Sequence, residues 1–525
     1  MKQGLAVGVV AAFIAGVPIA IARYLFGVPT PPEAFVDLVT SLLPTSAFGF
    51  LITLLDEWAK PLLAVGLAFA HLAVGGAAGM LWAWWDGRTG LRRGDTADRG
   101  TPGWRRWVYG LTLAAALWAF VVAVLLPAAG KGPLGNRIGR ELSLVWLVSA
   151  LVYGLALVHL CRPSAPRAEA ETAPDRASRR RLLRNLGLAA MGLVLASALG
   201  GYIWTVAART GKRVARRPNG LSPEITPNQN FYTVSKNIED PSVSSVDWKL
   251  TVDGLVERPL KLDYQQLKQM PSATQYLTLE CISNEVGGEQ IGNALWMGVP
   301  LASLLTEAGV RPGVRKVVLH ADDGYSDSIG LDKALEPGTL LAYEMNGVPL
   351  PEPHGFPLRL LVPNIYGMKN VKWLTRIELV DYDYQGYWQE RGWSDGAVIN
   401  TTSRIDTPRQ YGQVLAGIQS MGGVAFAGDR GIAKVEVSTD DGYSWTEAQV
   451  KDALSPYTWV LWTKDWTPPG PGSYLLKVRA TDKTGRLQSP ANEDPLPDGA
   501  TGYHTVVIHV TEEPAPTTDD GASGP

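Results

Sequence analysis

Apolar residues are spread unevenly along this chain. Residues 1–205 carry long unbroken apolar runs, whereas residues 218–525 alternate apolar and polar positions over short stretches punctuated by proline, glycine and asparagine. A helix that crosses a bilayer needs about 20 mostly apolar residues. Residues 4–24, 62–85, 107–127 and 142–161 meet that requirement, and residues 186–207, rich in Leu, Ala and Gly, form a fifth candidate. Residues 35–55 are also apolar but contain Asp37 and Pro44 and lead into Asp56 and Glu57. That stretch reads as an interfacial or re-entrant segment, with a sixth span as the alternative. The pattern predicts an α-helical transmembrane bundle over 1–207, held by membrane lipid.

Positive charge in the short loops orients the bundle. Six arginines fall within 86–106 and seven within 162–184, so both loops belong on the cytoplasmic side and the chain after residue 207 on the other. The basic run Arg209, Lys212, Arg213, Arg216 and Arg217 opposes this assignment mildly. Ser178-Arg179-Arg180-Arg181-Leu182-Leu183-Arg184 precedes a modestly hydrophobic helix and resembles a twin-arginine export signal; a plain cytoplasmic flank is the alternative. Such a signal implies that the domain beyond it folds around a cofactor before export. His71 and His159 lie in spans, but at ~1.5 Å per residue they differ by about 10 Å in depth, too far for two axial ligands of one haem. Polar packing within the bundle suits them better.

Residues 208–227 read as a linker, first basic and then rich in Pro and Asn. Beyond it, Trp248–Gly254, Tyr276–Cys281, Lys316–His320, Leu340–Tyr343 and Leu358–Val362 read as strands, and Pro300–Gly309 as a short helix, which predicts an α+β domain over 228–405. Residues 410–512 carry short alternating strands at regular spacing, with turns at Asp440-Asp441-Gly442 and Asp482-Lys483-Thr484-Gly485. This predicts an Ig-like β-sandwich. The Pro/Thr/Asp/Gly-rich tail 513–525 reads as disordered. The length, 525 residues, fits about three domains.

Only two cysteines occur, Cys161 and Cys281, and the predicted topology puts the membrane between them. An exported thiol without a disulfide partner is either a soft metal ligand or a small packed hydrophobe. The surrounding residues favour the ligand. Asn230-Phe231-Tyr232, Thr278-Leu279-Glu280-Cys281, Gly298-Val299-Pro300-Leu301, His354-Gly355-Phe356-Pro357-Leu358-Arg359 and Gly367-Met368-Lys369-Asn370-Val371-Lys372-Trp373-Leu374 resemble, in order, motifs of the molybdopterin-binding domain of the sulfite oxidase family. Residues 410–512 resemble that family's molybdenum-cofactor dimerisation domain. The resemblance implies a molybdenum–molybdopterin cofactor, with Cys281 as thiolate ligand to the metal. It also implies that Asn230, Phe231 and Tyr232, Asp322 or Asp323, His354, Arg359 and the segment Asn370, Val371 and Lys372 hold the pterin and its phosphate. Guanidinium and ammonium groups suit a phosphate.

The departures from the family shape the expected substrate. Where sulfite oxidases carry an arginine after the Cys-x-x-Asn segment, this chain has Glu285; where they carry another after the aromatic motif, Val234-Ser235 stand; and Trp393 occupies the position of a tyrosine beside the metal. A divalent oxyanion loses its cationic pocket in such a site, and Glu285 would repel it, unless Lys236 or Arg391 compensates. The expectation is two-electron oxygen-atom transfer at a sulfoxide or N-oxide. Oxidation of sulfite or another small anion in a rebuilt pocket is the alternative, and a metal-free binding module a third. A net charge of −2 gives no nucleic-acid surface. With no haem-attachment or iron–sulfur cysteine motif, electrons need an external partner or a quinone, and a homodimer is expected by resemblance.

Overall fold

The computed structural model describes residues 2–26, 59–88, 104–128, 140–160, 220–237 and 240–512. The chain divides into two compact units, residues 1–211 and 212–525. The predicted fifth span, the apolar stretch 35–55 and the twin-arginine segment lie outside the described residues.

In the first unit, α1 (Lys2–Phe26), α2 (Ala59–Arg88), α3 (Trp104–Phe120) and α4 (Arg140–Leu160) match the first four predicted spans. Helix α3 runs on through a π-helical turn, Val121–Leu125, to Leu126–Ala128. Three segments, Gly4–Ala22, Trp107–Leu125 and Ser143–Leu160, are long and apolar enough to cross a membrane by length and composition. Glycine permits the helix contacts: a Cβ on Gly8 or Gly79 would collide with the facing helix at Gly75 or Gly4, and one on Gly154 would collide with Gly110, the close approach that small residues allow. Backbone carbonyls of neighbouring helices accept the few buried hydroxyls, Tyr153 donating to Gly75 O at 2.6 Å and Ser149 to Ala15 O at 2.6 Å. His71 packs as expected, its Nε2 lying 3.3 Å from Ala12 O. His159, by contrast, is exposed on its helix rather than packed in the bundle.

The second unit begins with ten strands: β1 (Lys249–Gly254), β2 (Leu260–Asp263), β3 (Ala273–Glu280), β4 (Ile291–Pro300), β5 (Lys316–Ala321), β6 (Ser326–Gly330), β7 (Leu340–Met345), β8 (Val348–Pro349), β9 (Arg359–Leu361) and β10 (Leu374–Val380). They form two sheets. One has the order β2-β1-β10-β5-β6, with β1 and β10 parallel and its other pairs antiparallel. In the other, β3, β4 and β7 pair in that order, and β7 also pairs β8 and β9. Short helices close the corners: α5 (Tyr264–Gln269), α6 (Leu301–Ala308) and α7 (Leu331–Ala334). Helix α5 starts in a capping box, the Asp263 carboxylate accepting from the Gln266 amide while the Gln266 side chain accepts from Asp263 N. Helix α6 ends at Gly309, whose φ of 72° suits the left-handed cap.

Strand β4 is not among the strands that the sequence pattern predicts; only the motif Gly298-Val299-Pro300-Leu301 is marked there. It runs for ten residues and is the central partner of β3 and β7, so its burial on both faces hides the alternation that marks a half-buried strand. Strand β3 likewise buries its last four residues, Leu277 to Glu280.

The C-terminal region is a two-sheet sandwich. One sheet takes β11 (Thr402–Thr407), β13 (Gln419–Phe426), β17 (Val460–Trp466) and β16 (Gln449–Val450), and the other takes β12 (Gly412–Leu415), β19 (His504–Thr511), β18 (Gly472–Asp482), β14 (Ile432–Ser438) and β15 (Thr446–Glu447). Ile405, Met421, Val435, Trp462, Val478 and Ile508 fill the space between them. Strand β11 straddles the end of the stretch, 228–405, that the sequence pattern assigns to the central domain.

Candidate active site

Cys281 is the first residue past β3. Its amide donates to Gln290 O at 2.9 Å, which closes the turn between β3 and β4. Asn284 braces this turn from within: its side chain donates to Glu280 Oε1 at 2.9 Å and accepts from Gln290 N at 2.9 Å. Ser283 Oγ lies 3.0 Å from the Cys281 sulfur and donates to Gln290 Oε1 at 2.8 Å. From outside, Arg404 Nη1 donates to Gly288 O at 2.6 Å, while its other arms hold Asp406 and Ser222. Gly287 is required here: its φ is 79° and a Cβ would strike the His504 ring. The thiol is therefore presented by a turn that the sandwich clamps. It is 6% exposed, and burial pushes its pKa up, partly offset by the Ser283 hydrogen bonds. At neutral pH such a group stays a thiol unless a metal takes its proton's place.

His504 belongs to this clamp. Its Nδ1 accepts from Ile405 N at 3.0 Å, and burial, helped by the nearby Arg404 charge, holds its pKa down at about 4. In the unfolded chain it titrates near 6.5. Between pH 6.5 and 4 the unfolded state thus binds a proton that the folded state refuses, so stability falls as pH drops through that window. Wild type should lose up to about 3 kcal/mol relative to His504→Gln across it, read from urea unfolding midpoints at a series of pH values.

Three groups interact electrostatically with the thiol, Glu280, Tyr232 and Tyr366, and Arg359 acts in turn on Tyr232. Glu280 is buried, its pKa rises to about 7 through desolvation, and its Oε2 has no hydrogen-bond partner. Tyr232 and Tyr366 are pushed well up, first by burial. Arg359 is 5% exposed, yet among the described residues it forms no ion pair. Its Nη1 donates to His354 O at 3.1 Å, its Nη2 to Asn370 O at 3.2 Å, and its Nε has no acceptor. The guanidinium lies 5.2 Å over the Trp296 ring, and burial lowers its pKa to about 10. A buried cation with an orphaned N–H is complementary to a buried anion. A phosphate supplies that anion and a metal supplies the charge that the thiol lacks, so this pair fits a phosphorylated, metal-bearing cofactor. Among the described residues no cluster of three or more His, Cys, Asp or Glu offers a protein-only metal site.

The remaining candidates divide. Phe231 is buried, stacks on Tyr232 with ring centroids 5.5 Å apart and meets His354 edge-on, which positions both. His354 Nε2 lies 2.8 Å from Asn228 O. Asn230 is half-buried in the turn that delivers Phe231, its amide donating to Pro227 O at 2.8 Å. Asn370 is a scaffold residue: its side chain accepts from Val362 N and donates to Ile365 O and Tyr366 O. Val371 is a buried hydrophobe. Lys372 lies 4.0 Å over the Trp373 ring and donates to Pro353 O. Asp323 accepts from Asn237 Nδ2 and from Tyr325 N, whereas Asp322 is exposed and joins the fold through its backbone. Glu285 is exposed on the turn, and no described contact turns it toward the thiol.

A second wall is not legible in the motifs. The 3-10 turn Gly367–Lys369 carries Gly367 against the Tyr232 hydroxyl and the Glu280 carbonyl. The carbonyl of its next residue, Met368, accepts from the Tyr325 hydroxyl at 2.9 Å. Tyr325 meets Tyr387 at 5.9 Å, Tyr387 meets Trp388 edge-on, and Trp388 stacks on Trp393 at 4.1 Å. Trp393 is buried and its Nε1 has no acceptor. Both Lys236 and Arg391 lie over the Tyr387 ring, at 5.5 and 3.6 Å.

Comparison with known proteins identifies this architecture. Residues 237–388 match the oxidoreductase molybdopterin-binding domain and residues 397–510 the Mo-co oxidoreductase dimerisation domain. The chain is 33% identical over 181 residues to the uncharacterized oxidoreductase YuiH of Bacillus subtilis, covering 34% of this chain and 89% of that protein. The chain belongs to the sulfite oxidase family. It is a molybdopterin-dependent oxidoreductase. It is 32% identical to the sulfite oxidase of Arabidopsis thaliana over 43% of this chain and 70% of that one. It is also 32% identical to the mitochondrial sulfite oxidase of Drosophila melanogaster, over 48% of this chain and 54% of that protein. The chain thus spans about half the length of that relative. Within the family's site, Cys281 would hold the molybdenum, and Arg359, His354 and Lys372 the pterin phosphate.

Proposed function

We propose that this chain is a membrane-anchored oxidoreductase of the sulfite oxidase family, with its active site on the extracytoplasmic side, that transfers an oxygen atom at sulfoxide- or N-oxide-type substrates. When bound, the molybdenum cofactor supplies two-electron oxygen-atom transfer chemistry. The protein's part is to fix the metal through Cys281, to neutralise the phosphate with Arg359, and to orient the substrate. The observation that carries the substrate class is the buried Trp393 with an unpartnered Nε1. An indole N–H is a neutral donor, suited to the oxygen of an S=O or N–O bond. Val234-Ser235 and Glu285 stand where the family carries the arginines that would bind a divalent oxyanion.

The membrane reading rests on the three apolar segments and on the large apolar side chains facing outward from the helices, such as Phe69, Val74, Leu81 and Leu144. Electrons come from a separate carrier or quinone, and the C-terminal sandwich pairs two copies of the chain. One observation favours a second reading. Lys236 and Arg391 converge on Tyr387, and two cations there suit a small anion such as sulfite.

Assays of purified holoprotein separate the two. Sulfoxides or tertiary N-oxides should drive oxidation of a reduced viologen, and sulfite should not drive reduction of ferricyanide. Trp393→Phe, which removes the N–H, should cost about 10- to 100-fold in kcat/KM for the sulfoxide. Sulfite-dependent turnover with no sulfoxide turnover would overturn the proposal in favour of the anion reading.

A further inference from the structure

An unbroken chain of ionisable groups leaves the second wall of the site and ends at the surface. It starts at Tyr325, whose hydroxyl donates to Asp327 Oδ2 at 2.9 Å. Asp327 Oδ1 accepts from Lys369 Nζ at 2.9 Å. The same ammonium donates to Asp395 Oδ1 at 3.1 Å and to Ser328 O at 2.8 Å. Asp395 Oδ2 accepts from Lys316 Nζ at 2.6 Å, and Lys316 pairs with Asp383 at 3.4 Å. Side-chain exposure is 0% at Asp327, 2% at Lys369 and 38% at Asp395, which reaches solvent; beyond it Lys316 is 14% and Asp383 54% exposed. The inner end adjoins the site: Met368, whose carbonyl accepts from the Tyr325 hydroxyl, follows Gly367, which packs against Tyr232 and Glu280, and both of these act electrostatically on Cys281.

Stability alone does not account for this arrangement. A lysine and an aspartate this deeply buried gain little over apolar residues of similar volume, and a lock has no need to reach solvent. Nor do these side chains figure among the cofactor contacts. We infer that Tyr325, Asp327, Lys369 and Asp395 are a proton conduit between the reacting centre and solvent. It rests on the oxygen-transfer reading only in that such chemistry consumes protons: XO + 2H⁺ + 2e⁻ gives X + H2O, the electrons arriving from an external one- or two-electron carrier. Each step conserves charge along the chain. Lys369 passes a proton to Asp327 and regains one from Asp395, which is resupplied from solvent at its exposed edge. Asp327 passes its proton to Tyr325 as Tyr325 releases its own into the site. A buried Lys–Asp pair suits this transfer, because a low dielectric brings the neutral pair close in energy to the ionic one.

The test needs no substrate. Holoenzyme is reduced with a reduced viologen, a donor that carries no protons, and proton uptake is followed by stopped flow with a pH indicator. In wild type, uptake should keep pace with reduction. In Asp327→Asn and in Tyr325→Phe it should lag by about 100-fold or more, with unchanged molybdenum content. Asp327→Asn leaves Lys369 with one carboxylate fewer, so the paired variant Asp327→Leu/Lys369→Met, which removes both charges, is the deciding control. A purely structural pair predicts that this variant regains wild-type uptake. The conduit predicts a well-folded, molybdenum-loaded protein that stays slow. Uptake at the wild-type rate in the paired variant overturns the conduit. Slow uptake in the paired variant, with wild-type uptake keeping pace but no sulfoxide turnover in wild type, overturns the substrate reading and leaves the conduit standing.

Discussion

Cys281→Ser should yield a protein that folds, exports and carries little molybdenum, with cofactor-dependent turnover lower by at least about 100-fold. Loss of a partner outside the metal's direct ligands already costs about 10- to 100-fold, and the role proposed for Cys281 is that of a direct ligand. A hydroxyl is a harder and far less acidic donor than a thiol, so it does not take up a soft metal in the same way. The turn should survive the change, because its hydrogen bonds run through the backbone of residue 281 and the side chains of Ser283, Asn284 and Gln290. The check is elemental analysis for molybdenum with a parallel pterin assay, beside wild type from a host that builds the cofactor. Wild type should hold about one molybdenum per chain. Full molybdenum and full turnover in the Cys281→Ser variant would remove the ligand assignment.

Arg359→Met should act in opposite directions on the two forms of the protein. Without cofactor, Arg359 is a buried cation with no carboxylate and an orphaned Nε. Removing it should stabilise the cofactor-free chain by about 1–3 kcal/mol, less the contact with the Trp296 ring. With cofactor, the variant loses charge-assisted hydrogen bonds to the phosphate worth about 1.5–3 kcal/mol each. Two such bonds correspond to a fall in cofactor affinity of about 10²- to 10⁴-fold. Urea unfolding of cofactor-free protein and pterin retention after gel filtration read the two effects separately. A purely structural arginine would destabilise the cofactor-free chain when removed and leave retention unchanged, and that result would sink the assignment.

The motifs name these residues, and the fold sends their side chains in different directions. Cys281, His354 and Arg359 sit in short runs whose residue types advertise their chemistry, and the structure brings both Cys281 and Arg359 near Tyr232. Within the motif 367–374, the resemblance assigns Asn370, Val371 and Lys372 together to the cofactor. The chain splits it: Lys369 turns inward to Asp327 and Asp395, Asn370 is spent on backbone groups, and Lys372 lies on Trp373. A 3-10 turn sends successive side chains in different directions, and no composition rule reveals which way each goes. Glu285 draws attention because it follows the Cys-x-x-Asn segment, yet it is exposed, while the inconspicuous Glu280 is buried beside the thiol.

The strands show the same division. Alternation locates β1, β14 and β18 to within a few residues, since each has one wetter face. It fails for β4, whose first four residues are all buried. The first sandwich strand, β11, also escapes it, because polar residues such as Ser403 and Asp406 are buried there through hydrogen bonds to Gln488 and Ser222.

By itself, then, the sequence determined the division into a part with long apolar runs and a part with short alternating ones, the cofactor class, and the cysteine proposed as metal ligand. These depend on local composition and on short motifs, whose physical content lies within a few residues. Only the tertiary structure decided what surrounds the thiol. Arg404 reaches Ser222 across 182 residues, and Lys369 reaches Asp327 across 42. Partners so distant in the chain are chosen by how the sheets pack. That packing orphans the Arg359 and Trp393 nitrogens and threads a line of charges from the site to the surface.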